Sequence, residues 1–254
     1  MPNLFDDLNK RGLIKWGGVQ SSDYGIVVQD CPAFDKPRRK QTVFNVAGRN
    51  GSVLFQEDAF EDTTRSYDIW IDEQTEEDSG GTETGRLDQR VADFTAWLFS
   101  KKGYQELEDN FEPDYYRLAY YSGGNDVSNE LIMYGKSKLT FTCRPERFLI
   151  SGKIPVTVTN GATMTNPTLF ASNPLIHIEG MGNVTIEING VGMTAVIDDY
   201  INIDCERMNA YRLPSENMNA YIQGTFPTLT SGANTITITG TTTLVQITPH
   251  YFTI

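Results

Sequence analysis

The amino-acid sequence predicts a mainly β protein of two domains, residues 1–150 and 151–254, with one helix in the first and an antiparallel β-sandwich as the second. Three observations carry this expectation. Charge is unevenly divided: the first 150 residues hold 18 basic and 26 acidic side chains, and the remaining 104 hold three and seven. Apolar residues alternate in short runs along both halves, as strands with one buried face require. One stretch near residue 90 spaces them as a helix does. The composition changes at Cys143-Arg144-Pro145-Glu146-Arg147-Phe148, where Pro145 is expected to close a strand.

At 254 residues, each half is long enough to bury a core without disulfide or metal staples. The three cysteines, Cys31, Cys143 and Cys205, are odd in number, far apart and lack a Cys-x-x-Cys pair. They point to reduced, partly buried thiols rather than a disulfide framework or a zinc site. No apolar run approaches the roughly 20 residues of a membrane span. Met1-Pro2-Asn3-Leu4-Phe5-Asp6 has neither the basic start nor the apolar stretch of a signal peptide. Production in a cytoplasm without membrane insertion is therefore expected. A net charge of −12 opposes stable nucleic-acid binding, because neutralising phosphates supplies most of that affinity.

In the first half, Tyr24 to Val28, Val43 to Val46, Tyr67 to Ile71, Tyr115 to Tyr120 and Lys138 to Cys143 alternate or run apolar as strands do. Leu139, Phe141 and Cys143 would share one face. Leu87, Val91, Phe94 and Leu98 follow the i, i+4, i+7, i+11 stripe of a helix. Trp97 adds to that stripe and Gly103 offers a stop, so the helix should run from about Arg86 to Lys101. Asp72 to Gly85 is acidic, rich in Gly and Thr and without large apolar residues, which predicts a solvated loop.

One extended region differs from its surroundings. Cys31-Pro32 to Pro37-Arg38-Arg39-Lys40 is basic and punctuated by proline, and it leads through Val43-Phe44-Asn45-Val46 into the turn Gly48-Arg49-Asn50-Gly51. Such a segment suits a projecting arm that docks on a neighbouring subunit, since proline pre-sets the backbone and lowers the ordering entropy. The turn is equally compatible with an ordinary hairpin inside one subunit.

In the second half, Ile176/Ile178, Val184/Ile186/Ile188, Met193/Ala195/Ile197, Ile201/Ile203/Cys205, Ile236/Ile238 and Val245/Ile247 each present one apolar face. Asn189-Gly190 supplies the two positive-φ residues of a type I′ hairpin turn, and Asp198-Asp199 suggests a second tight connection. Outward positions are largely Thr, polar but uncharged. Met208-Asn209-Ala210-Tyr211 recurs as Met218-Asn219-Ala220-Tyr221 around Leu213-Pro214-Ser215. A single four-residue repeat marks strand ends around a loop, although paired tyrosines on a sandwich face also bind sugars.

Catalytic chemistry has little footing. His177 and His250 have no spaced Ser, Cys or acidic partner that would make a triad. Asp198, Asp199, Asp204 and Glu206 lack the dense oxygen pattern of a calcium loop. Glu57, Asp58, Glu61 and Asp62 are better explained as a solvated acidic edge than as a glycosidase pair. No cofactor is expected.

Seven pieces in order resemble the distal tail proteins of long, non-contractile-tailed bacteriophages. They are Asp23-Tyr24-Gly25-Ile26-Val27-Val28, Gly48-Arg49-Asn50-Gly51-Ser52, Tyr67-Asp68-Ile69-Trp70-Ile71, the helix with Trp97-Leu98, Tyr104 to Leu107 with Asp114-Tyr115-Tyr116, Leu139-Thr140-Phe141-Thr142-Cys143-Arg144-Pro145, and Asn173-Pro174-Leu175-Ile176. The resemblance implies an N-terminal tube-like β-sandwich or split-barrel domain that builds a ring, typically a hexamer, and a C-terminal galectin-like β-sandwich pointing outward. Such a ring sits in the virion at the tail tip after assembly in the host cytoplasm. It joins the tail tube protein to tail-associated or receptor-binding proteins around a channel for DNA.

On this resemblance the arm becomes the candidate subunit interface, with Pro37, Arg38, Arg39, Val43, Phe44, Gly48, Arg49 and Gly51. An acidic lumen would repel phosphates within the 8 to 10 Å range of charge at cellular salt. The second half carries no long insertion between strands, where some relatives hold an extra arm or a carbohydrate-binding module, which tells against direct saccharide binding. The alternative from another class is a carbohydrate-binding adhesin with Tyr211 and Tyr221 as its platform.

Overall fold

Alternation of apolar and polar residues decides which face of each sheet is buried. The computed structural model describes residues 12–29, 36–71, 83–123 and 136–254, without the side chains at 71, 83–88 and 136. Met1 to Asp6, Cys31, the start of the expected arm up to residue 35, residues 72–82 of the loop expected over Asp72 to Gly85 and the Leu87 side chain lie outside the described residues. The chain divides into two compact units, Met1–Arg147 with Ile254, and Phe148–Thr253.

The first unit contains strands β1 (Ile14–Trp16), β2 (Val19–Gln20), β3 (Ile26–Val28), β4 (Arg39–Asn45), β5 (Ser52–Phe60) and β6 (Thr63–Ile71). Helix α1 (Glu83–Ser100) follows, then β7 (Gln105–Asp109), β8 (Tyr115–Tyr120) and β9 (Lys136–Leu149). Seven of the strands form one sheet in the order β2-β1-β7-β8-β9-β6-β3. Leu139, Phe141 and Cys143 do share a buried face, and Tyr67 and Ile69 of β6 join them. Val91, Phe94, Trp97 and Leu98 of α1 belong to the same core. Trp97 is its aromatic centre, stacked on Tyr24 at 5.2 Å and edge-on to Trp16 at 5.8 Å, geometries that add to the area such rings bury.

Three local expectations change. The last three residues of the loop expected over Asp72 to Gly85 open helix α1, which starts at Glu83. Tyr24 ends a 3-10 turn, Ser21–Tyr24, rather than opening a strand. Pro145 does not close β9, which runs on to Leu149. The ladder between β6 and β9 ends at Thr63 and Cys143, so the missing N–H of Pro145 removes no bond to β6.

The core face of the sheet ends in a buried ionic cluster. Arg65, in line with Tyr67 and Ile69 on β6, donates to Asp109 at 2.8 Å, and the Tyr67 hydroxyl donates to the same Oδ2 at 2.7 Å. Asp109 Oδ1 also accepts the backbone N–H groups of Phe111 and Glu112. Glu112 pairs with Arg117 and Arg147 at 2.5 and 2.8 Å. Burial first, and the neighbouring Asp109 carboxylate second, push the Tyr67 hydroxyl well above the usual phenol range.

The second unit contains β10 (Val156–Thr157), β11 (Thr163–Asn166), β12 (Leu175–Ile188), β13 (Val191–Asp204), β14 (Asn209–Tyr211), β15 (Ile222–Gly224), β16 (Gly232–Thr248) and β17 (Phe252–Thr253). Every alternating apolar residue expected there is buried. The expected short runs, however, join into three long strands of 14, 14 and 17 residues.

Each long strand serves two arrays. The Leu175 end of β12 lies between β13 and β16 in a set bordered by β10 and β14, while its Ile188 end lies in a set bordered by β11 and β15. Register shifts between these ends, and an exposed middle at Met181 to Asn183, mark where the sheet folds over. Gly180 is required at that fold, since a Cβ there would lie 2.3 Å from the Thr241 carbonyl oxygen. One hydrophobic core draws on both ends. Asp198-Asp199 is part of this fold, paired with Met181 and Gly180, and is not a tight connection. Asn189 and Gly190, at φ 53° and 79°, do turn β12 into β13.

The fold class expected from the sequence is the one observed: mainly β, with one α-helix among the described residues and curled antiparallel sheets.

Candidate functional site

Strands β4 and β5 form a sheet of their own, paired only with each other among the described residues. Their register places Phe44 opposite Val53 and Thr42 opposite Phe55 on one face, and Val43 opposite Leu54 and Gln41 opposite Gln56 on the other. Both faces therefore carry apolar side chains. Phe44 is 56% exposed and Phe55 61%, and Val43, Val46, Val53 and Leu54 are exposed with them. Leaving such side chains in water forgoes roughly 1.5–3 kcal/mol apiece relative to full burial, and six of them lie on one ribbon.

The expected arm is thus a hairpin, and its tip is the expected turn. Gly48 and Gly51 adopt φ of 81° and 82° within it, and Arg49 N–H closes on the Val46 carbonyl at 3.2 Å. Arg38 and Arg39 lie at its base, both exposed, with Pro37 half-buried. Arg39 covers the Phe60 ring at 4.7 Å. The sequence reading missed the returning strand. The signal for it was present in Val53-Leu54-Phe55 just after Gly51-Ser52, an apolar run too short to reveal a period.

The base of the hairpin is divided by charge. Residues 36–45 hold Lys36, Arg38, Arg39 and Lys40 and no acid, while residues 52–62 hold Glu57, Asp58, Glu61 and Asp62 and no base. All eight are exposed. Among the described residues no ion pair joins the two sets; Asp62 instead accepts from the Tyr104 hydroxyl at 3.1 Å.

The remaining candidates occupy separate places. Tyr211 ends β14 half-buried, while Tyr221 ends a 3-10 turn and is exposed, so the repeated tetrapeptide adopts two different structures. Asn219 explains part of this by accepting the Ala210 N–H on its side-chain oxygen at 2.6 Å. His177 Nδ1 contacts the Asn202 side-chain oxygen at 2.8 Å and Nε2 faces Glu179 at 3.4 Å. Asn202 in turn donates to the Arg212 carbonyl, and the Arg212 guanidinium to the Asp198 and Tyr200 carbonyls. These groups occupy one another's hydrogen-bonding positions on the sheet surface. His250 Nδ1 lies 3.3 Å from the Asn173 carbonyl. Asp204 accepts the Glu206 and Arg207 N–H groups as a turn cap. Among the described residues no group of three or more His, Cys, Asp or Glu side chains is placed to hold a metal, and no helix is long and apolar enough to cross a membrane. Cys143 and Cys205 are buried, which raises both thiols to about 12.

No family model matches the chain, and no curated protein matches it. Among solved structures it is similar to the crystal structure of SPP1 Dit (gp 19.1), described as a paradigm of the hub adsorption apparatus in Gram-positive infecting phages. The TM-score is 0.68 at 16% identity, over 92% of this chain and 97% of that one. The chain therefore has the fold of that phage hub protein along nearly its whole length.

Proposed function

We propose that this chain is a structural virion protein of the distal end of a phage tail. In this reading residues 1–150 assemble a ring, a hexamer, around a channel for DNA, and residues 151–254 decorate its outside. The ring joins the tail tube protein to the tail-tip or receptor-binding proteins, and the copies are made in the host cytoplasm. The observation that carries the proposal is the likeness of fold to a phage hub protein over 92% of the chain. The exposed hairpin adds to it as an apolar surface of the kind that marks protein contacts. The subunit clasp comprises Pro37, Arg38, Arg39, Val43, Phe44, Gly48, Arg49 and Gly51. No catalytic step is assigned.

Negative-stain microscopy of the purified protein, with its mass measured by light scattering, tests this. A six-fold ring with a central hole is expected, and dispersed monomers at every concentration would sink it. An acidic lumen belongs to the same proposal, motivated by the excess of eight acids in residues 1–150. Among the described side chains, the solvent-side positions of the large sheet carry Asp68, Glu106, Glu108 and Glu146 against Lys15, Lys138 and Arg144, a narrow acidic majority, so a ring structure with a basic or neutral lumen would overturn that part alone.

A further inference from the structure

The hairpin carries more than a sticky surface; it has a direction. A ribbon that is apolar on one face can lie flat against a single neighbour. This one is apolar on both, with Phe44, Val53 and Phe55 on one side and Val43 and Leu54 on the other. Its two backbone edges are also unpaired among the described residues. Unpaired edges and exposed apolar faces together favour pairing with another chain.

Charge selects which chain and which way round. The segment entering the hairpin, 36–45, is wholly basic in its charges, and the segment leaving it, 52–62, is wholly acidic. A two-fold contact of like edges would set Lys36, Arg38 and Lys40 of one copy against the same residues of the other. Like charges placed opposite one another are destabilising. Contact between the entering side of one copy and the leaving side of the next has opposite charges throughout. That contact is heterologous: each copy offers one side and accepts the other, and repetition closes into a ring.

We propose that the β4 side of the hairpin base on one copy docks against the β5 side on a second copy of this chain, head to tail, with Lys36, Arg38 and Lys40 facing Glu57, Asp58 and Glu61. This rests on the self-assembly proposed above and specifies its polarity. Arg39 and Asp62 are left out, because the first covers Phe60 and the second binds Tyr104 within the same copy.

The test uses two charge-reversed full-length chains, K36E/R38E/K40E and E57K/D58K/E61K, measured by light scattering beside the wild-type protein. Each alone should fall to monomer mass, because both of its sides then carry one sign. Mixed in equal amounts they should regain the wild-type mass, since every contact in an alternating ring is again between opposite signs. Wild-type mass in either single preparation, or no recovery on mixing, overturns the proposal.

Salt supplies a readout that needs no variant. Raising ionic strength from 0.1 to 1 M shortens the screening length from about 10 to about 3 Å, and self-association should weaken by about tenfold. Unchanged or tighter association in high salt would count against the proposal. Its failure is separable from that of self-assembly itself. An oligomeric wild type that F44S/F55S breaks and the charge reversals do not would retain the clasp and discard the polarity. A wild type that stays monomeric discards both.

Discussion

Two antiparallel hairpins in this chain are built from similar residues and reach opposite ends. In the β12–β13 hairpin apolar residues at every second position, as in Val184, Ile186 and Ile188, are buried in the folded-over sheet, while Met181, Val191 and Val196 are exposed. In the β4–β5 hairpin they are adjacent toward the tip, as Val43-Phe44 and Val53-Leu54-Phe55, and these five are exposed. Strict alternation sends every apolar side chain to one face, which a single core can cover. Adjacent apolar residues populate both faces, and this chain covers neither. The first hairpin completes its own unit; the second stands with apolar side chains exposed on both faces.

Substitutions can test that contrast. Ile186→Ala, in the buried hairpin, removes a side chain with no exposed surface and should lower stability by about 3 kcal/mol in chemical denaturation. A loss below about 1 kcal/mol would mean the folded-over sheet is loosely packed.

Alkaline pH should act on the buried sheets and spare the exposed hairpin. Burial raises Cys143 and Cys205 from 9.0 to about 12 in the folded protein. Between those values the unfolded chain gives up thiol protons that the native state keeps, so stability is complete below pH 9 and falls as pH rises toward 12. The slope is about 1.4 kcal/mol per pH unit for each thiol. Denaturation curves collected from pH 8 to 11 should show that fall, and a C143A/C205A variant should flatten it up to about pH 10, above which the buried Tyr67 hydroxyl adds a fall of the same sign.

Gly190→Ala places a Cβ at φ 79° in the turn of the buried hairpin and should cost about 1 kcal/mol in global stability. Gly51→Ala imposes the same strain at φ 82°. Its effect should be confined to faster hydrogen exchange in the exposed hairpin, with the global midpoint unmoved. The smallest effect is expected for Phe44→Ser with Phe55→Ser, which should change monomer stability by less than about 0.5 kcal/mol. A larger loss would show that the hairpin packs within its own copy after all.

Much of the fold could be read from residues alone. The helix was expected over 86–101 and spans Glu83–Ser100, because a stripe of Val91, Phe94 and Leu98 has only one way to face a sheet. Every alternating apolar position expected to face inward in the second half is buried, for the same reason at period two. Continuity was less legible. Local pattern breaks at Gly180 to Asn183 and at Asp198-Asp199 look like chain reversals, yet the strands bend there and carry on. Pro145 likewise looked like a stop and is not one, since a strand needs its N–H only where a neighbour awaits it.

The candidate site was half legible. Basic residues, prolines and the glycine turn marked a projecting segment, but Val53-Leu54-Phe55, too short a run to show a period, did not announce that Ser52 to Phe60 would pair back onto β4. By itself, the sequence determined secondary structure and the buried face wherever apolar residues kept one period, because that preference is local and each residue carries it. Only tertiary structure decided that three long strands fold into two layers, that Arg65, Asp109 and Glu112 meet in a buried cluster, and that one hairpin stands uncovered. Those outcomes depend on which distant segments compete for the same surface, and no local pattern records that competition.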